Sequence, residues 1–362
     1  MYIDAGLIRD WVRPEIQALT AYHVADASGL IKLDAMENPW TWPEDLRQEW
    51  LSVLHKVDVN RYPDPQAGAL AGQLRQAMEV PDDMAVLLGN GSDEIIQMLA
   101  MAVSGPGRGI LSVEPGFSMY HMIAIWCGMN YTGVPLNADD FSLDMPALRK
   151  AVEETAPALI FLACPNNPTG NQFAEEDILA VLEAAPGLVV VDEAYAPFAE
   201  ASFMSHLGQH DNLLVMRTVS KLGLAGLRLG MLAGPPAWLE QIDKLRMPYN
   251  INVLTQETAR FAMEHHDVLD EQTANIRQER ERLFTALEGI DGIHIWPSQA
   301  NFLLVRTAPG RALALFDHLL KNGVLVKKLH GSHPLLDDCL RFTVGKPDEN
   351  DRLLELVGSF HG

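Results

Sequence analysis

The middle of the chain alternates short apolar runs with helical patterns, and this alternation limits the available folds more than any other feature. The runs are Val86-Leu87-Leu88, Gly109-Ile110-Leu111-Ser112-Val113, Leu159-Ile160-Phe161-Leu162, Leu188-Val189-Val190-Val191, Leu213-Leu214-Val215-Met216 and Leu229-Gly230-Met231-Leu232. They are rich in branched residues and mostly lack polar alternation, as strands buried on both faces do. Helix candidates lie between them. One opens at Ser92-Asp93, carries Ile95, Ile96, Leu99 and Ala100 on one side, and stops at Gly105-Pro106. Strand, helix and strand in series predict a mostly parallel α/β sheet covered by helices.

The last third reads differently. Residues from about Thr255 to Leu287 form long helical material. Runs at Ile293–Trp296 and Asn301–Arg306 precede a helix near Ala312–Lys321, and runs at Val324–Lys328 and Leu340–Val344 follow it. That order predicts a smaller α+β domain. The first fifty residues hold Trp11, Trp40, Trp42 and Trp50 and read as an arm or as packing for the small domain. The expected division is 1–50 as arm and part of the small domain, 51–255 as a large domain, and 256–362 as a small C-terminal domain.

Charge excludes some functions. The chain has 27 Lys+Arg against 48 Asp+Glu, a formal net charge of −21. Phosphate backbones and anionic membrane surfaces need clustered cations, so neither nucleic acid nor membrane is an expected partner. A local anion site stays open, because net charge says little about one pocket. Charges interrupt the N-terminal MYIDAGLIRDWVRPE too early for a signal peptide, and no apolar run is long enough for a membrane helix. Cys127, Cys164 and Cys339 are odd in number and widely spaced, which fits neither a disulfide framework nor a zinc site. A cytoplasmic location is expected. His265 and His266 are adjacent on a helix and do not share a face, so no metal site is expected.

Loops beyond the carboxyl ends of parallel strands build ligand sites. Gly89-Asn90-Gly91-Ser92-Asp93-Glu94 follows one strand and opens a helix; it is either a tight turn with a capped helix or an anion cradle. Pro165-Asn166-Asn167-Pro168-Thr169-Gly170 follows another, as a plain turn or a source of amide donors. Asp192 ends an apolar strand, where an unpaired carboxylate is costly, so it needs a protein cation or a protonated ligand atom. Tyr195 stands within reach of the same pocket. Lys221 follows Thr218 and Ser220 and precedes Arg228. Alone it reads as a surface lysine. Together with a phosphate cradle and a strand-end acid it reads as a Schiff-base lysine for pyridoxal phosphate, a cofactor that needs all three.

The succession GNGSDE, PGFSMY, PNNPTG, VVDEAY, RTVSKLGLAGLRLG and LRFTVG resembles the fold-type-I pyridoxal-phosphate aminotransferases. The stretches DAMENP (34–39), RYP (61–63), PYN (248–250) and ANF (300–302) are similar to the histidinol-phosphate aminotransferase subgroup. The likeness runs from about Arg13 to Leu356. It implies a large cofactor-binding domain around a mostly parallel seven-stranded sheet, plus a smaller α+β domain. It implies pyridoxal 5′-phosphate bound covalently to Lys221, with Asp192 facing the ring nitrogen. Asn167 and Tyr195 would bond the phenolic oxygen, and Tyr120 would stack on the ring. Ser92, Asp93, Thr218, Ser220 and Arg228 would hold the phosphate. It further implies a homodimer with a shared site, in which Tyr62 reaches the partner's cofactor. Arg341, Tyr22 and Asn38 would face the substrates. Lys221, Asp192 and Tyr195 would be the catalytic set.

The activity so implied moves an amino group between glutamate and imidazole acetol phosphate, giving 2-oxoglutarate and histidinol phosphate in histidine biosynthesis. Aromatic amino-acid transamination and threonine-phosphate decarboxylation are the alternatives on the same scaffold. Two departures stand out. The loop Leu222–Leu227 is shorter than in many members, which changes the path to Arg228. Lys327 stands where an arginine is expected, and a lysine cannot offer a bidentate fork to phosphate.

Overall fold

The computed structural model describes residues 5–21 and 25–360. Its centre is a seven-stranded sheet. The strands, in chain order, are β1 (Ile31–Leu33), β2 (Ala85–Gly89), β3 (Gly109–Glu114), β4 (Asn130–Pro135), β5 (Leu159–Ala163), β6 (Leu188–Asp192), β7 (Leu213–Thr218), β8 (Gly230–Gly234), β9 (Ile293–Ile295), β10 (Phe302–Thr307), β11 (Val324–Lys328) and β12 (Cys339–Thr343). The large sheet has the order β2-β8-β7-β6-β5-β3-β4, and only β8 runs against its neighbours. The C-terminal ends of β2, β3, β5, β6 and β7 therefore meet along one edge.

The unbroken apolar runs have a direct physical cause. Every residue of β5, β6 and β8 is buried. Successive side chains of β6 alternate between two cores. Val189 and Val191 face one, with Ile160, Leu162, Leu213 and Val215. Leu188 and Val190 face the other, with Phe161, Leu214 and Met216. A strand lined on both faces has no position for a polar residue until it leaves the sheet. That is where Asp192 falls. Each fully buried Leu, Ile or Val contributes about 1.5–3 kcal/mol through apolar area alone.

The helix Ser92–Val103 forms where its N-terminal signal predicts, and buries Ile95, Ile96, Leu99 and Ala100 against the sheet. The expected long helix of the last third is two, Val253–Glu264 and His266–Glu288, broken at His265 with φ −120°. Strand β4 is absent from the apolar runs because it is an edge strand paired only with β3 and buries little besides Val134.

The second sheet has five strands in the order β1-β11-β12-β10-β9. The expected pair–helix–pair pattern is present around the helix Ala312–Lys321. The early strand β1 joins it in parallel, with Ile31 opposite Val324 and Leu33 opposite Val326. This pairing brings the chain after Leu33 over to the large sheet's loop edge. Trp42 and Trp50 meet edge-on at 5.6 Å, and Trp42 packs on Phe261 of the helix Val253–Glu264. No helix among the described residues is long and apolar enough to cross a membrane.

Candidate active site

The strand-end loops enclose a cavity of about 400 Å³ between the two sheets. Sequence-predicted residues on its wall are Ser92, Asp93, Asn167, Asp192, Tyr195 and Thr218, with Ser220, Lys221 and Arg228 completing the set.

At one end, the turn after β2 passes through Gly91 at φ +84°, and a Cβ there would stand 2.8 Å from Nη2 of Arg228. Glycine thus lets the guanidinium lie directly on the turn. The helix Ser92–Val103 opens with no side chain capping its first N–H groups. Those N–H groups and the helix dipole favour an anion. Arg228 reaches the same place from a left-handed backbone, φ 50°, and its Nη2 lies 3.2 Å from Oδ2 of Asp93. The short Leu222–Leu227 loop therefore still delivers its arginine.

Asp192 lies deep on the wall and is 4% exposed. Its Oδ2 accepts from the Tyr120 hydroxyl at 2.7 Å and its Oδ1 from the Ala194 N–H at 3.1 Å. Burial pushes its carboxyl up to about 6, while those two donors pull the other way. Burial and the Asp192 charge raise the Tyr120 phenol, which remains a donor.

Tyr120 requires a correction. Its ring does not line the cavity: it lies flat on Phe161, centroids 4.5 Å apart and planes 3° apart. It sits in the first turn of the helix Met119–Trp126, whose apolar side faces the sheet. The aromatic residue that lines the cavity is Phe117, in the loop before that helix. The motif PGFSMY held the signal, since a loop residue faces a ligand site more readily than a residue in a packed helical turn.

Lys221 projects from the short helical turn Ser220–Leu222 just beyond β7. Burial lowers its amine to about 8, and the charges of Arg341 and Arg228 add to the effect. Its Nζ lies 5.7 Å from the centre of the Tyr195 ring. Thr218 shapes this turn: its hydroxyl donates to the Leu229 carbonyl at 3.0 Å and accepts from the Ser220 N–H at 3.1 Å. Gly223, at φ +116°, closes the loop where a Cβ would stand 2.9 Å from Nδ2 of Asn38.

Asn38 also departs from expectation. Its amide donates to the Leu222 carbonyl at 3.1 Å and to Gln272 at 2.9 Å, and its oxygen accepts from the Trp40 N–H. It ties down the lysine loop from outside the cavity wall. Its neighbours Met36 and Glu37 line the cavity instead.

Arg341 stands behind Asn167, donating to Oδ1 at 2.5 Å and to the Asp34 carbonyl at 2.8 Å. Lys327 is its cross-strand neighbour. The Tyr195 hydroxyl donates to Sδ of Met36 at 3.2 Å. Tyr62 lies off this cavity; it is 80% exposed and stacks on Tyr249 at 4.3 Å. Tyr22 falls outside the described residues.

One supporting contact carries no signal in the sequence. Glu193, 2% exposed, accepts from Arg217 Nε at 2.9 Å and from the Ser202 hydroxyl. The pair joins the residue after Asp192 to the residue before Thr218. Removing one partner of such a buried pair costs about 3–5 kcal/mol.

A lysine amine, a strand-end carboxylate and a helix-end anion cradle on one wall define an aldehyde-carrying cofactor enzyme. The family model for aminotransferase class I and II matches residues 28–357. A histidinol-phosphate aminotransferase 2 of Nitrosococcus oceani is 55% identical over 350 residues, covering 97% of each chain. A histidinol-phosphate aminotransferase of Chromobacterium violaceum is 53% identical over 353 residues, covering 98% of each. The solved structure of the Sinorhizobium meliloti histidinol-phosphate aminotransferase, in complex with pyridoxal-5′-phosphate, shares the fold with a TM-score of 0.84 at 24% identity, covering 96% of each. The chain belongs to the aminotransferase class I and II family. Its cofactor is pyridoxal 5′-phosphate, and the donor set fits it: a cradle for a dianion, a buried acid for a protonated ring nitrogen, and a buried amine for an aldehyde.

Burying Lys221 has a cost that can be measured. A lysine lowered to about 8 from an ordinary 10.5 opposes folding fully below pH 8, because the unfolded chain keeps its ammonium hydrated. The opposition fades between pH 8 and 10.5 and vanishes above. Lys221→Met should therefore raise the Tm of the cofactor-free protein at pH 7 by roughly 2–5 °C. Calorimetry should show this gap narrowing as pH rises above 8. A gap that is absent, or constant with pH, contradicts the assignment of a buried amine.

Proposed function

We propose that this enzyme transfers an amino group from glutamate to imidazole acetol phosphate, giving 2-oxoglutarate and L-histidinol phosphate in histidine biosynthesis, and runs the same exchange in reverse. The observation that carries the reading is the convergence of Lys221, Asp192 and Arg228 on one cavity, in a chain 55% identical to a histidinol-phosphate aminotransferase.

Each residue's part follows from its chemistry. The first-turn N–H groups at Ser92 and Asp93, the Ser220 hydroxyl and Arg228 hold the cofactor phosphate, and Thr218 fixes Ser220. Asp192 pairs with the protonated ring nitrogen, which keeps its carboxylate ionised against burial. Asn167 and Tyr195 hold the phenolic oxygen, and Phe117 offers an aromatic face to the ring. Bound there, pyridoxal phosphate supplies an electron sink for charge left on the substrate carbon. Lys221 would hold the cofactor's aldehyde carbon, and its amine, once freed, would take and return the proton at the substrate carbon. Its lowered pKa leaves more neutral amine near pH 7 than an exposed lysine has. Glutamate and the phosphate ester bind in turn, each with an anion away from the reacting carbon. Arg341 would serve both on exchanging its bonds to Asn167 and the Asp34 carbonyl, because a guanidinium fork suits carboxylate and phosphate alike.

The reading extends to a cytoplasmic homodimer. The three cysteines are unpaired, which suits a reducing compartment. Val59, Tyr62 and Met247 are 72%, 80% and 69% exposed, and the Tyr62–Tyr249 stack brings their two segments together. An exposed apolar patch of this kind suits a subunit contact. There Tyr62 would complete the partner's phosphate site.

Substrate choice is the direct test. With 2-oxoglutarate as acceptor, kcat/KM for histidinol phosphate should exceed that for phenylalanine or tyrosine by about a thousandfold or more. Anion-binding groups left unpaired by an uncharged side chain account for the difference. Equal values would remove the substrate assignment and leave the cofactor chemistry standing. Sharing of the site is tested by co-expressing Tyr62→Ala with Lys221→Ala. Heterodimers should regain turnover through one intact site. No rescue, with mixed dimers verified, would return Tyr62 to its own subunit.

A further inference from the structure

Among the described residues lining the cavity, the carboxylates are Glu37, Asp93 and Asp192. Asp192 is held by Tyr120 deep in the wall, and Asp93 lies against Arg228 at the anion cradle. Glu37 is the carboxylate at the opposite, small-sheet side, and none of the cofactor contacts above uses it.

The backbone is arranged to bring it there. Met36 has φ 56°, a left-handed conformation that a long side chain adopts only under constraint. Two backbone contacts hold it, and a third, from Tyr195, joins them while that hydroxyl has no cofactor oxygen to engage. Its N–H donates to Oγ1 of Thr343 at 3.0 Å, its carbonyl accepts from Asn301 Nδ2 at 2.9 Å, and its sulfur accepts from the Tyr195 hydroxyl at 3.2 Å. Strain of about 1–3 kcal/mol that persists because its surroundings over-determine it is a mark of functional sites. Here its effect is to turn residues 35–37 onto the cavity wall.

Glu37 is also prepared as an acceptor. Lys32 Nζ lies 2.5 Å from its Oε2 and 3.3 Å from Oδ1 of Asp34. The ammonium fixes the carboxylate and offsets part of the charge that Glu37 and Asp34 bring together. A carboxylate accepts at both oxygens, which leaves capacity for a ligand N–H.

We infer that Glu37 determines specificity by accepting the ring N–H of the imidazole head, with Met36 as the strained pivot that aims it. This rests on the histidinol-phosphate reading and deepens it: Arg341 reads the anion shared by both substrates, and Glu37 reads the head that separates the amino donor from uncharged aromatic ones.

The test compares wild-type and Glu37→Gln holoenzymes on histidinol phosphate, on its phenyl analogue (phenylalaninol phosphate), and on glutamate. Replacing the charged acceptor by a neutral amide oxygen should lower kcat/KM for histidinol phosphate about tenfold. The other two should stay within about twofold, because neither offers a ring N–H. Glu37→Asp should recover part of the loss. The holoenzyme's visible absorbance bands should keep their positions, with at most a shift in the pH at which they titrate because the Glu37 charge acts on Lys221; a general disturbance of the cofactor site would move the bands. Equal losses on all three donors, or no loss on histidinol phosphate, overturns the inference alone. If the wild-type enzyme itself does not prefer histidinol phosphate to the phenyl analogue, the inference falls. If it also fails to prefer histidinol phosphate to free phenylalanine, the substrate reading falls with it.

Discussion

A carboxylate and an amine buried on one wall are the constraint around which the rest of the structure is arranged. Asp192 is held up to about 6 and Lys221 down to about 8, both chiefly by burial. Neither state is favourable in a cofactor-free chain, because a buried charge loses its hydration. Both become favourable opposite a protonated ring nitrogen and an aldehyde. The protein accepts that cost through rigid support. Tyr120 and the Ala194 N–H hold Asp192, while the Glu193–Arg217 pair braces the strands that carry Asp192 and Lys221.

Topology converts this local chemistry into a site. Six strands of the large sheet point their C-terminal ends the same way, so residues far apart in sequence arrive at one edge. The small sheet closes that edge from the other side. Strand β1 carries residues 34–38 across, and β12 brings Arg341 against Asn167. The cavity lining thus comes mostly from the large sheet, with Ala35, Met36 and Glu37 added from the seam. An enzyme that must bind two different substrates in turn can vary the seam without disturbing the cofactor.

Much of this was legible in the sequence, and the exceptions have physical causes. Strands buried on both faces read as apolar runs, so β5, β6 and β7 were evident, while the edge strand β4 and the short β1 were not. Polar residues at strand ends were evident because burial forbids them elsewhere. Tyr120 and Asn38 were placed by motif alone, and motif does not say which way a side chain points. Tyr120 sits in a helical turn packed on the sheet, and Asn38 spends its amide on the lysine loop. Phe117 and Glu37 escaped notice because their exposure to the cavity depends on a loop path and on the left-handed turn at Met36. Neither is a matter of composition or period.

The central claim is that the charge of Asp192, and not its shape, makes the cofactor reactive. The most direct measurement is a single turnover of the Asp192→Asn holoenzyme with glutamate, followed by the cofactor's absorbance. The asparagine keeps size and hydrogen bonding but cannot hold a proton on the ring nitrogen. The protein should still bind cofactor, and the rate should fall about a hundredfold or more. A rate near that of the wild-type enzyme would show that another group supports the ring nitrogen, and the account built on Asp192 would be wrong.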